Sequence, residues 1–272
     1  MLIILLILVI ILSLYLTRKP PIKKTPMSQD IFLKKTPIPK IIWRTTNKKD
    51  YTNDISQISK GFVIKDFDDK DCINFLIENY GEDYVNVFNK LNVGAHKADF
   101  WRYAALYKYG GVYLDIKTIP IVNLKYITDK LDSEEKYSWA TVRQFDKIGI
   151  YNGIIITPPK NPIIYKSLID IYNNVKIINE GHYHYNVRKL MGYITEEYPQ
   201  YEIKSENFKP SKLESQNSIL YLYIENCSSY KESKECNIEA RKNFKGVLDR
   251  LGLCCNAEGF DKDLFIIRDP KY

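Results

Sequence analysis

Hydrophobic and polar positions along this 272-residue chain follow two periods, and the switches between them outline the secondary structure. A period of about 3.6 residues indicates an amphipathic helix, and a period of two indicates a half-buried strand. The predicted strands are 39–45, 61–66, 111–116, 137–143, 149–157, 218–225 and 263–268. The predicted helices are 70–79, 82–91, 95–109, 161–175 and 185–197. Because strands and helices alternate over the first half, the pattern predicts an α/β fold.

The segment 95–118 is the most informative part of the chain, because a helical period there gives way to two glycines and a strand. Asp99 and Arg102 are three positions apart and therefore share one face of the predicted helix. Gly110 follows the last periodic residue, where a C-cap glycine is favoured. The sequence therefore predicts a helix, a glycine stop and an immediately following strand.

The strand after these glycines separates apolar from polar side chains. Its apolar face, which we expect to enter the sheet core, carries Val112, Leu114 and Ile116. Its opposite face carries Tyr113, Asp115 and Lys117. Because ligand sites of open α/β sheets lie at the carboxyl ends of strands, we expect the polar set to point into a cleft.

The same segment resembles the sugar-nucleotide-binding region of glycosyltransferase family 32, whose helix and strand carry a DxD motif. The matching positions, which align without a gap, are Ala98-Asp99, Arg102-Tyr103, Leu106-Tyr107, Tyr109-Gly110-Gly111 and Tyr113-Leu114-Asp115. Residues 38–43 are similar to the opening strand of the family, and residues 152–162 are similar to a later strand, loop and helix start. The resemblance covers residues 38–170.

The resemblance implies a GT-A-like fold, a mixed, mostly parallel sheet with flanking helices. It also implies transfer of a sugar from a nucleotide diphosphate donor to a glycan or glycoprotein. Asp99, Arg102 and Tyr113 would then be donor-binding residues. Asp115 would be the first aspartate of the DxD motif, the catalytic residue and a ligand of a divalent cation. Trp43 would stack on the nucleotide base, although a core tryptophan is an equal alternative.

Lys117 stands where the family has the second DxD aspartate, the direct ligand of Mn²⁺ or Mg²⁺. Lysine replaces a negative ligand by a positive charge, which opposes metal binding. Three outcomes are open. Lys117 binds the diphosphate itself, Asp115 and other carboxylates such as Asp146 hold a weakly bound metal, or catalysis is lost. The predicted function is a hexosyl- or N-acetylhexosaminyltransferase; the alternative is a non-catalytic, membrane-tethered protein that binds sugar or nucleotide.

Residues 2–16 are almost wholly aliphatic and would span about 22 Å as a helix, short of the roughly 30 Å hydrocarbon core of a bilayer. No basic residue precedes them and no small-residue cleavage site follows, which favours an uncleaved single-pass anchor over a cleaved signal peptide or a soluble helix. The predicted organisation is an anchor or signal at 1–17, a Pro- and Lys-rich stem at 18–37 and a transferase domain at 38–272. We expect irregular acceptor-side loops at 205–262. The resemblance implies a lumenal domain in a Golgi- or ER-type membrane, whereas the basic stem favours a cytoplasmic domain.

The net positive charge of the chain comes from its first 49 residues. The total charge is +7, of which residues 1–49 contribute +9, so the remainder carries about −2. A near-neutral domain lacks the basic surface that a phosphate backbone requires, which argues against nucleic acid as the main partner. The expected partners are a nucleotide sugar, an acceptor glycan and, through residues 2–16, a membrane.

Overall fold

The computed structural model describes residues 35–47, 55, 59–116, 118–120, 123–143, 150–181, 184–199, 211–224 and 266–268. The strands are β1 Ile41–Thr45, β2 Val63–Phe67, β3 Gly111–Leu114, β4 Thr118–Pro120, β5 Tyr137–Arg143, β6 Ile150–Thr157, β7 Ser211–Glu214, β8 Ser218–Ile224 and β9 Ile266–Arg268. The helices are α1 Asp69–Tyr80, α2 Glu82–Lys90, α3 Gly94–Tyr109, α4 Leu124–Ser133, α5 Pro162–Asn173, α6 Val175–Glu180 and α7 Tyr185–Glu197.

The main sheet has seven strands in the order β2-β1-β3-β6-β5-β8-β7, and β4 pairs with β9 in a separate ribbon. Within the main sheet, β1–β2, β1–β3 and β5–β8 are parallel. The pairs β3–β6, β5–β6 and β7–β8 are antiparallel. β6 and β7 therefore run against the other five strands, so the sheet is mixed with most strands in one direction, in agreement with the prediction of a mixed, mostly parallel sheet. Because β5 and β6, and likewise β7 and β8, are joined by only a few residues, each second strand must return antiparallel to the first.

Most predicted elements are confirmed. The predicted strand 137–143 and helix 185–197 coincide with β5 and α7, and the other predicted elements agree with the observed ones to within three residues at each end. The sequence reasoning missed β4, α4, α6 and β7. Within the stretch 205–262 that was expected to be irregular, β7 pairs with the predicted strand β8 in a hairpin at the sheet edge.

Side chains alternate across the sheet as the strand pattern predicted. Val112 and Leu114 of β3 join a hydrophobic cluster on the face that packs against α4. Tyr113, which lies between them in sequence, joins the larger cluster formed with α1, α2, α3, α5 and α7. The confirmed alternation places the Tyr113 side of β3 beneath α3.

The turn between α3 and β3 requires its two glycines. Gly110 has φ +67° and Gly111 has φ +102°, conformations that L-residues with side chains rarely adopt. A Cβ at Gly110 would lie 2.5 Å from the Pro159 nitrogen, and one at Gly111 would lie 2.8 Å from the Ile41 carbonyl oxygen. The chain therefore reverses tightly, and the N-terminus of α3 lies at the carboxyl end of β3.

The predicted anchor and most of the stem, together with Lys117 and Asp146, lie outside the described residues. In the ranges that the structure describes, no helix combines the length and the apolar character needed to cross a membrane.

Candidate functional site

A cleft of about 380 Å³ opens at the carboxyl ends of β1 and β3. Its walls come from the end of β1 at 45–47, the start of α3 at 94–102, the end of β3 at 115–116 and the start of β6 at 151–152. β1 pairs with β2 on one side and with β3 on the other, so the chain changes direction across the sheet at this point. Ligands of α/β sheets bind at such switch points.

A buried arginine joins two carboxylates at the floor of this cleft. Arg102 Nη1 lies 3.0 Å from Asp99 Oδ1, and its Nη2 lies 3.0 Å from Asp115 Oδ1. The Arg102 side chain is only 3% exposed. Burial lowers the pKa of its guanidinium, but the neighbouring phenol and carboxylates outweigh burial and raise it overall. Arg102 therefore stays charged, and the pairing predicted for Asp99 and Arg102 is present.

Tyr113 orients the carboxylate of Asp115 through a hydrogen bond. The Tyr113 hydroxyl donates to Asp115 Oδ1 over 3.1 Å and lies 2.9 Å from Thr45 Oγ1. The guanidinium carbon of Arg102 lies 4.0 Å from the centre of the Tyr113 ring, a cation–π contact. Burial raises the pKa of Tyr113, so its hydroxyl stays protonated and remains a donor. Asp115 Oδ1 thus receives two hydrogen bonds before any ligand arrives.

Two asparagine amides hold the other carboxylate. Asn152 Nδ2 donates to Asp99 Oδ1, and Asn186 Nδ2 donates to Asp99 Oδ2, each over 2.8 Å. Burial raises the pKa of Asp99, while the ion pair with Arg102 and the hydrogen bond from Asn186 act in the opposite direction. Each oxygen of this buried carboxylate therefore has a donor.

Gly153 allows β6 to approach Asp115 closely. The Asp115 backbone N–H donates to the Gly153 carbonyl over 2.8 Å. A Cβ at position 153 would lie 2.6 Å from Asp115 Oδ2 and 2.4 Å from Tyr151 Cζ. The Tyr151 hydroxyl lies 3.4 Å from Asp115 Oδ2 and is hydrogen-bonded to Thr118. Glycine at this position leaves the space that the Asp115 carboxylate occupies.

The structure brings together Asp99, Arg102, Tyr113 and Asp115, but it places Trp43 elsewhere. Trp43 is 3% exposed, donates from Nε1 to the Gly110 carbonyl and packs against other aromatic rings of the core. It does not line the cleft. Its position matches the core alternative and gives no support to a contact with a nucleotide base.

Sequence reasoning assigned no role to Asn152 or Asn186. A signal for Asn186 is present in the sequence, because the buried stripe of α7 at 187, 190, 191 and 194 extends back to this polar residue. A polar residue at the head of a buried stripe requires a hydrogen-bond partner. Its partner, Asp99, is 87 residues away in the chain and cannot be deduced from the pattern.

The donor set around Asp115 fits a divalent cation poorly. Magnesium in nucleotide sites is usually held by one or two carboxylates together with substrate phosphates. Asp115 supplies one carboxylate, but the Arg102 cation lies 3.0 Å from its Oδ1. Among the residues described, no group of three or more His, Cys, Asp or Glu side chains lies together as a metal site.

These features define an α/β protein with a charged ligand cleft at its strand ends. Residues 32–138 match the family model described as the glycosyltransferase sugar-binding region containing DXD motif. This match confirms the resemblance inferred from the segment 95–118. Over residues 32–138 the chain is therefore similar to the sugar-binding region of DXD-containing glycosyltransferases.

Two curated relatives agree with this assignment. An uncharacterized glycosyltransferase of Acanthamoeba polyphaga mimivirus is 36% identical over 74 residues, which are 27% of this chain and 30% of the relative. Inositol phosphoceramide mannosyltransferase 1 of Schizosaccharomyces pombe is 30% identical over 100 residues, which are 37% of this chain and 29% of the relative. The matches thus span about a third of the length of these relatives.

One solved structure, described as PaToxG glycosyltransferase, superimposes with a TM-score of 0.45 at 17% sequence identity. The superposition covers 60% of this chain and 71% of the other.

Proposed function

We propose that this protein is a glycosyltransferase of the GT-A type. It transfers a hexose or N-acetylhexosamine from a nucleotide diphosphate sugar to a glycan or glycoprotein. The observation that carries the proposal is the Asp99–Arg102–Asp115 cluster at the floor of the cleft. The family match over residues 32–138 supplies the class of ligand.

Each charge of the cluster has a role in this reaction. The Asp99 carboxylate accepts hydrogen bonds from hydroxyl groups of the donor sugar. Asp115 faces the sugar carbon at which positive charge develops when the bond to the diphosphate breaks. Arg102 and Lys117 supply the positive charge that stabilises the departing diphosphate. The acceptor hydroxyl oxygen forms the new bond to the sugar carbon as the bond from that carbon to the diphosphate oxygen breaks. The proton of the acceptor hydroxyl passes to an oxygen of the departing nucleoside diphosphate.

No step of this mechanism is assigned to a metal ion, because the residues that the structure describes around Asp115 are a poor ligand set for one. Lys117, two positions after Asp115, would instead bind the diphosphate as a point charge. The second candidate function is a sugar- or nucleotide-binding protein without turnover. The same replacement of the second DxD aspartate favours it.

The test is nucleotide release and sugar transfer with a panel of UDP and GDP sugars. Asp115→Ala should lower turnover by at least about 100-fold, as expected for loss of a group that acts on the reacting atoms. The matched control is Asp129→Ala on α4, an exposed ion-paired aspartate that should leave turnover unchanged. Equal turnover in wild type and Asp115→Ala would refute the mechanism.

The same assay separates the remaining alternatives. Turnover in EDTA supports the metal-independent reaction, whereas turnover that needs added Mn²⁺ contradicts it. Lys117→Asp should weaken donor binding in EDTA if Lys117 holds the diphosphate. Donor binding with no turnover under any condition would leave the binding function.

We also propose that residues 2–16 tether the domain to an endomembrane. The aliphatic run and the basic stem after it are the features that support this proposal. Protease protection in microsomes would determine on which side of the membrane the domain lies.

A further inference from the structure

Asn186 is a buried polar residue at a position where the pattern of α7 calls for an apolar one. The buried positions of this helix are Asn186, Val187, Leu190, Met191 and Ile194. An apolar residue at 186 would continue the stripe and pack against the core without a polar group to satisfy. The asparagine therefore requires an explanation beyond the packing of α7.

The contacts of Asn186 lead to the site. Its Nδ2 donates to Asp99 Oδ2, the oxygen that neither Arg102 nor Asn152 contacts. Its own Oδ1 has no hydrogen-bond partner in the described part of the chain. Burial of an amide oxygen without a hydrogen bond costs unfolding free energy, so Asn186 is a poor residue for packing α7 against α3. The hydrogen bond to Asp99 is therefore the better explanation for an asparagine at this position.

We propose that Asn186 is a positioning residue, which keeps the Asp99 carboxylate ionised and oriented toward the donor sugar. The inference rests on the proposed function, because it assigns Asp99 to the sugar. Asn186 touches neither the sugar nor the reacting atoms, and it acts through Asp99. The turn that leads into α7 brings His184 to the wall of the same cleft, next to Val187. Helix α7, which carries Asn186, therefore also borders the cleft in which the ligand would bind.

The groups around Asp99 show which hydrogen-bond donors keep its carboxylate ionised. Helix α3 presents Arg102, His96 and Tyr103 to it, and the end of β3 presents Asp115. β6 and α7 contribute only the neutral amides of Asn152 and Asn186 among the contacts described. Burial raises the pKa of Asp99, so loss of one N–H donor would favour the protonated form.

The test variant is Asn186→Asp, which keeps the size of the side chain and replaces the donating amide by a carboxylate. Two carboxylates in hydrogen-bond contact do not both ionise at neutral pH. At low pH their shared proton replaces the lost N–H bond, so donor affinity should approach that of wild type. As pH rises and the proton is lost, repulsion displaces Asp99 and donor affinity falls.

The expected result is that the ratio of wild-type to variant donor affinity rises at least about tenfold between pH 5 and pH 9, with one pKa unit corresponding to a factor of ten. The matched control is Asn174→Asp, which also places a carboxylate beside an aspartate, Asp170, but outside the cleft. Its ratio should stay flat. A flat ratio for Asn186→Asp would overturn the proposal.

A second variant gives a readout that needs no donor. Asn186→Ala should raise the pKa of Asp99, so its loss of unfolding free energy relative to wild type should grow as pH rises. A pH-independent loss would overturn the proposal even if wild type bound no sugar nucleotide. Conversely, donor binding that Asp99→Ala abolishes and both Asn186 variants preserve would overturn the positioning role while the proposed function stands.

Discussion

Replacement of Arg102 by methionine tests whether the guanidinium of Arg102 stabilises the two carboxylates, Asp99 and Asp115, at the floor of the cleft. Methionine keeps the unbranched stem and removes the guanidinium. The substitution leaves Asp99 and Asp115 without the group that lies 3.0 Å from each of them. It also removes the cation from the face of the Tyr113 ring.

The expected loss follows from the burial of the partners. The side chains of Asp99 and Asp115 are 10% and 23% exposed, so water does not replace the lost cation fully. Removal of one partner of a buried ion pair costs about 3–5 kcal/mol of unfolding free energy. Arg102 holds the pKa of Asp99 down against burial, so its removal raises that pKa. The loss should therefore be largest at neutral and higher pH and should shrink as pH falls and Asp99 is protonated.

The measurement is the unfolding free energy of wild type and variant in urea, monitored by circular dichroism at several pH values between about pH 5 and pH 8. The matched control is Arg44→Met, because Arg44 is as buried as Arg102 at 4% exposure but pairs with Asp66, which is 39% exposed. A solvated carboxylate tolerates the loss of its partner better. A loss for Arg102→Met that is below about 1 kcal/mol, or no larger than that of Arg44→Met, would refute the reasoning.

Two further predictions concern the same site. The Gly153→Ala variant should fold but should transfer sugar about 100-fold more slowly, because the new Cβ would lie 2.6 Å from Asp115 Oδ2 and displace that carboxylate. The control is Gly192→Ala, at an exposed helix position with free space around it, and equal activity of the two variants would contradict the prediction. Asp99→Asn should lose donor binding yet gain stability relative to wild type as pH rises, because burial raises the pKa of Asp99 and its ionised form becomes costly; an unfolding free-energy difference that is constant with pH would contradict it.

The segment from α3 to β3 could be predicted from sequence because its signals are local. The helical period, the pair at 99 and 102, and the glycines at 110 and 111 all lie within a few residues of one another. Alternation along β3 then fixed which side chains share a face. For these reasons the cluster of Asp99, Arg102, Tyr113 and Asp115 was predicted and found.

The remaining features depend on contacts that no local period contains. Asn152 and Asn186 reach Asp99 from 53 and 87 residues away. Trp43 lies among aromatic side chains of the core, because β1 is an inner strand that pairs with both β2 and β3. Its ring neighbours, such as Trp101, come from distant segments of the chain. α4 is a different case, because its buried positions 124, 127, 128 and 131 have helical spacing that could have been recognised.

The charge balance of the cluster bears on the metal question. Arg102 lies 3.0 Å from each of the two carboxylates, Asp99 and Asp115, so one described cation already faces both of them. Lysine at position 117, where the resemblance places an aspartate, removes a negative charge from the sequence beside Asp115 and adds a positive one. Both features weaken the attraction of this region for a divalent cation. We therefore expect donor binding to persist in EDTA, and a strict requirement for added Mn²⁺ would contradict the proposal.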